Sequence, residues 1–140
     1  MGSYVQVKVA GEAYAVPIDR VLEVAELGQV RAVPRARPEV LGIKSLSGRI
    51  LPVVDLARLL GVRRTAPPGR LLVAEACGFR VGFAIDEVTG IGELPEPEDR
   101  TESAENARSG LLSGASLSDG ELVGVVDVPR VFDTLDGTRR

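Results

Sequence analysis

The segment that decides the fold is residues 48–60, GRILPVVDLARLL, because it returns as GELVGVVDVPRVF at residues 120–132. The two copies share Gly, Val, Val, Asp and Arg at matching positions, and most of the other positions are apolar in both. In each copy an apolar, β-branched run leads to an aspartate, a favoured residue at a helix N-cap. The repeat therefore predicts two equivalent strands, each followed by a short helix that begins at Asp55 or Asp127.

A second pair of similar segments precedes the first in each half. Residues 4–21 align with residues 71–88 and share a glycine, an isoleucine, an aspartate and a valine. A glycine inside each apolar run marks a hairpin turn. Because both halves carry the same elements in the same order, the sequence predicts two similar β subdomains.

The two subdomains are predicted over residues 4–62 and 70–135, with a proline-containing linker between them. A barrel of roughly 60 residues buries little apolar surface and is marginal on its own. We therefore interpret residues 1–140 as one domain, and exchange of strands between the subdomains stays open. Short strands with frequent turns predict an all-β protein with short helices, and closed barrels would remove the exposed strand edges.

The composition excludes several classes of function. The chain has 140 residues, a net charge of −3, no histidine, one cysteine and five aromatic residues. Catalytic triads and zinc sites that use histidine are impossible, and an acidic chain with few aromatic residues is not expected to bind nucleic acid. No apolar run reaches the ~18 residues of a membrane span. We expect a cytoplasmic protein without cofactor, metal or membrane insertion, in which Cys77 packs inside a strand.

Four aspartates end apolar strands and could be taken for catalytic carboxylates: Asp19, Asp55, Asp86 and Asp127. An acid–base pair needs a neighbouring group that shifts one pKa, and the sequence offers none. Capping of turns and helices is the favoured interpretation. Gly90-Ile91-Gly92 also lacks the third glycine of a dinucleotide-binding loop. No catalytic residue is predicted.

The order of motifs resembles the CheW-like domain of bacterial chemotaxis. The resemblance is carried by AVPIDRVLEV at 15–24, Val33-Pro34, VLGIKSLSGRILPVVDL at 40–56 and VGFAIDEV at 81–88. It covers about residues 4–135, and the motif around residues 42–56 is the most specific. The resemblance implies two similar five-stranded, SH3-like β-barrels, in agreement with the repeat.

The resemblance also implies a non-enzymatic adaptor that couples membrane chemoreceptors to the histidine kinase CheA. Such an adaptor binds the cytoplasmic tip of the receptor and the similar regulatory domain of the kinase. Matched by motif, Val21 and Val88 fall at kinase-binding positions. The positions matched to the receptor-facing side are Glu23, Gly42, Leu46 and Ser47.

One position departs from the family pattern. Where the family has Asn-Leu-Arg-Gly, this chain has Ser45-Leu46-Ser47-Gly48. The family's arginine commonly pairs with the glutamate that Glu23 matches, so this pair is absent here. A paralogue that serves another two-component pathway is therefore an alternative.

Two further alternatives differ in class. One is a regulatory module split from a larger protein, either the kinase itself or a CheV-like protein with a receiver domain. Because the chain starts at Met1 and ends soon after the last predicted helix, a free-standing adaptor is favoured. The other is a small enzyme, which the missing histidine makes improbable.

Overall fold

The computed structural model describes residues 2–98 and 110–136 of the chain. The loop predicted over 95–108 therefore lies largely outside the described residues, as does the fraying predicted for 137–140. The strands are β1 (Gly2–Val9), β2 (Glu12–Pro17), β3 (Val21–Glu26), β4 (Val40–Leu46), β5 (Arg49–Asp55), β6 (Arg70–Ala76), β7 (Phe79–Ile85), β8 (Glu87–Leu94), β9 (Leu112–Ser118) and β10 (Glu121–Val126). The helices are α1 (Leu56–Leu60) and α2 (Val128–Asp136), and a 3₁₀ turn covers Ile18–Arg20. The predicted all-β class with short helices is confirmed.

Four two-residue turns join strands into hairpins. They are Ala10-Gly11, Ser47-Gly48, Cys77-Gly78 and Asp119-Gly120, with φ of 50–53° at the first residue and 78–82° at the glycine. Positive φ at both central residues is the mark of a type I′ turn, whose twist matches that of the flanking strands. The expectation that Cys77 is buried in a strand was wrong. Its side chain is exposed because the turn, rather than the strand, contains it.

The strands form two five-stranded sheets, in the orders β8-β1-β2-β10-β9 and β3-β6-β7-β5-β4. The neighbours β2 and β10 are parallel, as are β5 and β7, whereas the other pairs are antiparallel. Each sheet contains a hairpin from one repeat and three strands from the other. The ranges 4–62 and 70–135 thus each contribute strands to both sheets, and the repeat relates one sheet to the other.

Neither sheet closes into a complete barrel, so the prediction of closed barrels was wrong in this respect. The edge strands β3 and β4 share no ladder, and the same holds for β8 and β9. Instead, the segment that follows β3 makes a single β-bridge to β4, and the segment that follows β8 makes a single β-bridge to β9. Arg31 pairs with Ile43, and Glu98 pairs with Ala115. The chain leaves β3 near Gly28 and leaves β8 at Pro95, so the edge strands end before a ladder can form.

One apolar cluster joins the two sheets and the two helices. It includes Val7 and Val16 of the first sheet, Leu72 and Phe83 of the second, and Phe132 of α2. The rings of Phe83 and Phe132 meet edge to face, with centroids 6.4 Å apart. Because both sheets bury side chains in the same cluster, neither has a separate main core.

The capping prediction holds at the two helices and fails at Asp19, whereas Asp86 caps a turn that is distant in sequence. Asp55 accepts a hydrogen bond from the amide of Ala57, and Asp127 accepts one from the amide of Arg130 at 3.2 Å. Asp19 lies inside the 3₁₀ turn, which has no side-chain cap. Asp86 accepts from the amide of Gly11 at 3.1 Å, so it holds a hairpin turn of the other repeat.

Candidate partner-binding surfaces

Val21 and Val88 occupy equivalent places in the two repeats, near the start of β3 and of β8. Val21 lies opposite Ala74 of β6, and Val88 lies opposite Val7 of β1. Both side chains are half-buried and pack against the main core cluster. The structure therefore places them on different sheets, and each has only part of its surface available to a partner.

Glu23 lies on an exposed part of β3 where the strand is irregular. The register with β6 shifts between Val21 and Glu23, so Leu22 has no directly opposed partner. Leu22 is 44% exposed, and the Glu23 side chain is also exposed. Glu23 makes no ion pair with any residue that the structure describes. The edge strand β3 thus exposes an apolar side chain, Leu22, and an acidic side chain, Glu23, at consecutive positions.

Gly42 is buried, and its position has a structural explanation. The register of β4 with β5 shifts between Val40 and Gly42, and Gly42 has a φ of +150°. A Cβ at this position would overlap the carbonyl oxygen of Arg31. Arg31 and Ile43 exchange backbone hydrogen bonds of 2.9 and 2.8 Å. Gly42 therefore allows the single bridge across the open side of the sheet.

Gly114 allows the equivalent bridge in the other sheet, and this role was not predicted from the sequence. Its φ is +157°, and a Cβ there would lie 2.5 Å from the carbonyl oxygen of Glu98. Glu98 and Ala115 exchange backbone hydrogen bonds of 2.8 and 2.9 Å. The signal was present, because Gly42 and Gly114 stand at matching positions of the repeat.

Leu46 and Ser47 lie together at the tip of the β4–β5 hairpin. Leu46 is half-buried and packs against the apolar cluster of its own sheet, which contains Leu51 and Val53. Ser47 is exposed at the first position of the turn, with φ of 53°. Glu23 is on β3, at the opposite edge of the hydrogen-bonded ladder from β4. Among the predicted receptor-facing residues, only Gly42, Leu46 and Ser47 share one hairpin.

A groove with a volume of about 820 Å³ lies on the sheet that contains β5. We call it the β5–α2 groove. Its walls are the first half of β5, the tip of the β6–β7 hairpin, the last turns of α2 and the segment 35–37. Its apolar lining includes Ile50, Phe79 and Phe132. None of the six residues predicted for partner binding lines this groove, and the sequence analysis did not identify it.

The shifted pKa of Tyr4 has a structural explanation. Burial raises the pKa of Tyr4 above its ordinary value, and the carboxylate of Glu96 adds to this effect. Tyr4 belongs to a small apolar cluster, so the shift reflects core packing. In residues 2–98 and 110–136 no three His, Cys, Asp or Glu side chains gather in a way that could hold a metal ion. No helix in this part of the chain is long and apolar enough to cross a membrane.

Comparison with known proteins agrees with this architecture. The family model of the CheW-like domain matches residues 3–136. The chemotaxis protein CheW of Thermotoga maritima is 28% identical over 125 residues, which cover 89% of this chain and 83% of that protein. The chemotaxis protein CheA of Salmonella typhimurium is 26% identical over 125 residues, which cover 87% of this chain but 18% of that protein. The chain therefore belongs to the CheW-like domain family.

A solved structure supports the fold independently. The scaffolding protein TtCheW of Thermoanaerobacter tengcongensis superposes with a TM-score of 0.83 at 22% identity. The match covers 91% of this chain and 84% of that protein. The pair of exchanged five-stranded sheets is thus the fold of a CheW scaffolding protein.

Proposed function

We propose that this protein is a cytoplasmic chemotaxis adaptor without catalytic activity, which couples chemoreceptor tips to a CheA-type histidine kinase. The observation that carries the proposal is the match of the CheW-like family model to residues 3–136, nearly the whole chain. An adaptor must hold two partners at once on separate surfaces. The two repeat-related sheets offer such surfaces, one at β8 and one at the β4–β5 hairpin.

Val88 is proposed to be the apolar centre of the kinase contact at β8, and Val21, on the other sheet, to be a second and separate apolar contact with the kinase. Interface cores are depleted of charge, and a half-buried valine presents a methyl group beside its own core. The receptor contact is proposed to use Glu23 and the hairpin tip with Leu46 and Ser47. Gly42 would support that contact indirectly, because it fixes the hairpin to the segment around Arg31.

Val88→Asp is expected to weaken binding to the kinase regulatory domain by at least about tenfold, because an unpaired carboxylate would be desolvated in the contact. Calorimetric titration with the regulatory domain of a CheA-type kinase from the same organism measures the effect.

Val62→Asp is the matched control for this variant. Val62 is also half-buried and packs against the same core cluster, but it is not a predicted contact. Both variants should lose a similar amount of unfolding free energy, whereas only Val88→Asp should lose affinity. Equal loss of affinity in both would attribute the effect to the fold and remove Val88 from the contact.

Ser47→Arg is expected to lower the affinity for the natural receptor tip, because the added charge and bulk at the hairpin tip mismatch a contact suited to serine. The arginine could pair with Glu23, but an exposed pair contributes only about 0–1 kcal/mol. Titration of both proteins with receptor-tip peptides from the same organism measures the change.

Asp119→Arg controls for charge in this experiment. Asp119 occupies the equivalent turn of the other sheet, with φ of 50°, and is also exposed. It should leave the affinity for the receptor tip unchanged. Tighter binding of every tip by Ser47→Arg would show that the family's usual ion pair is simply missing here.

A second candidate is a regulatory module that belongs to a kinase or a CheV-like protein. The observation that favours it is the match to the CheA of Salmonella typhimurium, which shows that larger proteins contain a similar domain. The two candidates differ in partners. A free-standing adaptor binds the receptor tip and the regulatory domain of a separate kinase. A kinase-derived module also binds the receptor tip, but its second partner is a separate adaptor instead of a kinase.

A further inference from the structure

We propose that the β5–α2 groove binds an acidic segment of a partner protein that carries at least two apolar side chains. The groove contains none of the positions assigned to the kinase or the receptor. This inference therefore goes beyond the proposed adaptor function, and its failure would leave that function standing.

The mouth of the groove is an exposed apolar pair. Ile50 is 71% exposed and Phe79 is 60% exposed, and both line the groove. The parallel register of β5 with β7 begins at Val53 and Gly82. Extended backwards, this register would set Ile50 opposite Phe79, but the ladder does not reach them. It begins one residue later than the matching ladder of the other sheet, which includes Gly124 where this sheet has Pro52 without an amide. The two strands separate there and leave an apolar opening instead of a closed ladder.

The back of the groove is buried and apolar. Phe132 is 8% exposed and Leu51 is 5% exposed, and both line the groove. A side chain that entered between Ile50 and Phe79 would therefore reach apolar surface at the mouth and at the back. Burial of such a side chain is favourable because its apolar surface leaves water.

The fold itself does not require an apolar and basic surface here. At the matching positions of the other sheet, Glu12 stands for Phe79 and Glu121 stands for Arg49. Those glutamates are bound to polar neighbours: Glu12 accepts from the hydroxyl of Tyr14 at 2.9 Å, and Glu121 pairs with Lys8 at 3.5 Å. The same turn and strand geometry thus tolerates acidic residues. The exposed aliphatic residue is common to both sheets, since Leu122 matches Ile50 and is 50% exposed, but the aromatic ring and the basic residue are particular to the β5–α2 groove.

The helices also differ between the two sheets. The helix α2 covers Val128–Asp136, whereas its repeat counterpart α1 covers only Leu56–Leu60. Phe132 matches Leu60 at the end of α1, and the additional turn of α2, residues 133–136, contributes Asp133 and Leu135 to the groove. One end of the groove therefore has no counterpart in the first repeat, because the second helix continues where the first one ends.

The charge at the rim indicates the chemistry of the occupant. Four arginines line the groove against two acidic residues: Arg35, Arg37, Arg49 and Arg80 against Glu75 and Asp133. Arg37 pairs with Glu39 and Arg80 pairs with Glu75. Arg35 and Arg49 form no ion pair within the described part of the chain. A basic rim on a chain whose net charge is −3 favours an acidic partner.

Fluorescence polarisation with a short labelled peptide of repeated Leu-Glu-Glu-Leu tests the proposal on the full chain. Two peptides serve as controls: repeated Leu-Lys-Lys-Leu keeps the apolar residues and reverses the charge, and repeated Ser-Glu-Glu-Ser keeps the charge and removes the apolar residues. Only the first is expected to bind, and added salt should weaken its binding because exposed charges are screened.

Matched variants assign the binding to the groove. Ile50→Asp is expected to reduce affinity for the acidic peptide at least about tenfold, the scale of a lost interface anchor. Ile91→Asp is its control, because Ile91 is a strand isoleucine of similar exposure, 68%, outside the groove. Arg49→Glu should likewise weaken binding, whereas the exposed Arg70, changed to Glu, should not.

Several outcomes would overturn the proposal. These are absence of binding by the wild-type chain, equal binding of the basic peptide, and equal loss in Ile50→Asp and Ile91→Asp. Sedimentation that shows self-association abolished by Ile50→Asp, without peptide binding, would assign the groove to a second copy of this chain instead.

Discussion

Gly42→Ala is expected to lower the free energy of unfolding by about 3–5 kcal/mol, the range of a large single-site effect. The reason is a close approach of backbone to backbone. A Cβ at Gly42 would overlap the carbonyl of Arg31, and neither group belongs to a flexible side chain that could move aside. The φ of +150° adds strain for any residue with a Cβ. Relief would require loss of the Arg31–Ile43 bridge.

Gly48→Ala is the matched control, since Gly48 is in the same hairpin. Gly48 has a φ of +78°, but a Cβ there meets no atom within 4 Å. Its replacement by alanine should lower the free energy of unfolding by only about 1 kcal/mol, because the left-handed backbone conformation is the only source of strain. Urea unfolding measures both variants, and an unchanged slope with denaturant would show that both report on stability. Equal costs would mean that the close approach at Arg31 does not constrain the fold.

The same substitution at Gly114 should have a similar cost. A Cβ at Gly114 would lie 2.5 Å from the carbonyl oxygen of Glu98, in the equivalent bridge of the other sheet. Gly42 was predicted as a receptor-facing residue, whereas Gly114 has no such role. Loss of receptor binding by Gly42→Ala would therefore report on a disturbed hairpin, and a stability measurement must accompany any binding test at this position.

Most strands, the two strand-to-helix junctions and several turns were predictable, because they depend on neighbouring residues, but β8 was not predicted and Cys77 was assigned to a strand instead of a turn. The repeat predicted both strand-to-helix junctions, and Asp55 and Asp127 do cap their helices. Which hairpin pairs with which strand was not predictable from the repeat. Two similar halves can pair within themselves or exchange strands with equivalent local patterns, and only the packing of both sheets on one core decides between them.

The candidate surfaces also include one part that was predictable from local sequence and one that was not. Motif matching assigned Leu46 and Ser47 to the receptor-facing side, and the structure adds that they lie at the tip of the β4–β5 hairpin, where Ser47 holds a left-handed turn position. The β5–α2 groove was not predictable, because its lining comes from four separate segments of the chain. Ile50 and Phe79 each resemble an ordinary strand residue in sequence, and their exposure depends on where β5 and β7 separate.

Asp55→Ala is expected to cost about 3 kcal/mol of unfolding free energy, whereas Asp127→Ala should cost about 1 kcal/mol. Both aspartates cap helices at matching positions, so the difference comes from their ion pairs. Asp55 pairs with Arg64, and these side chains are only 8% and 17% exposed. Asp127 pairs with Arg130 at 3.5 Å, and these side chains are 25% and 60% exposed. An exposed pair adds little, while removal of Asp55 leaves a guanidinium buried without its carboxylate.

Asparagine variants separate the cap from the charge. Asn is as good an N-cap as Asp, so Asp127→Asn should be nearly neutral. Asp55→Asn should retain the bond from the Ala57 amide but still destabilise the protein, because it removes the charge that faces Arg64. Arg64 lies in the segment between the two repeats, so this pair ties that segment to the first strand–helix junction. Thermal unfolding of the four variants decides the matter. If Asp55→Ala and Asp127→Ala lost equal amounts of unfolding free energy and both asparagine variants were neutral, only the caps would contribute to stability. The segment between the repeats would then be held by contacts other than the Asp55–Arg64 pair.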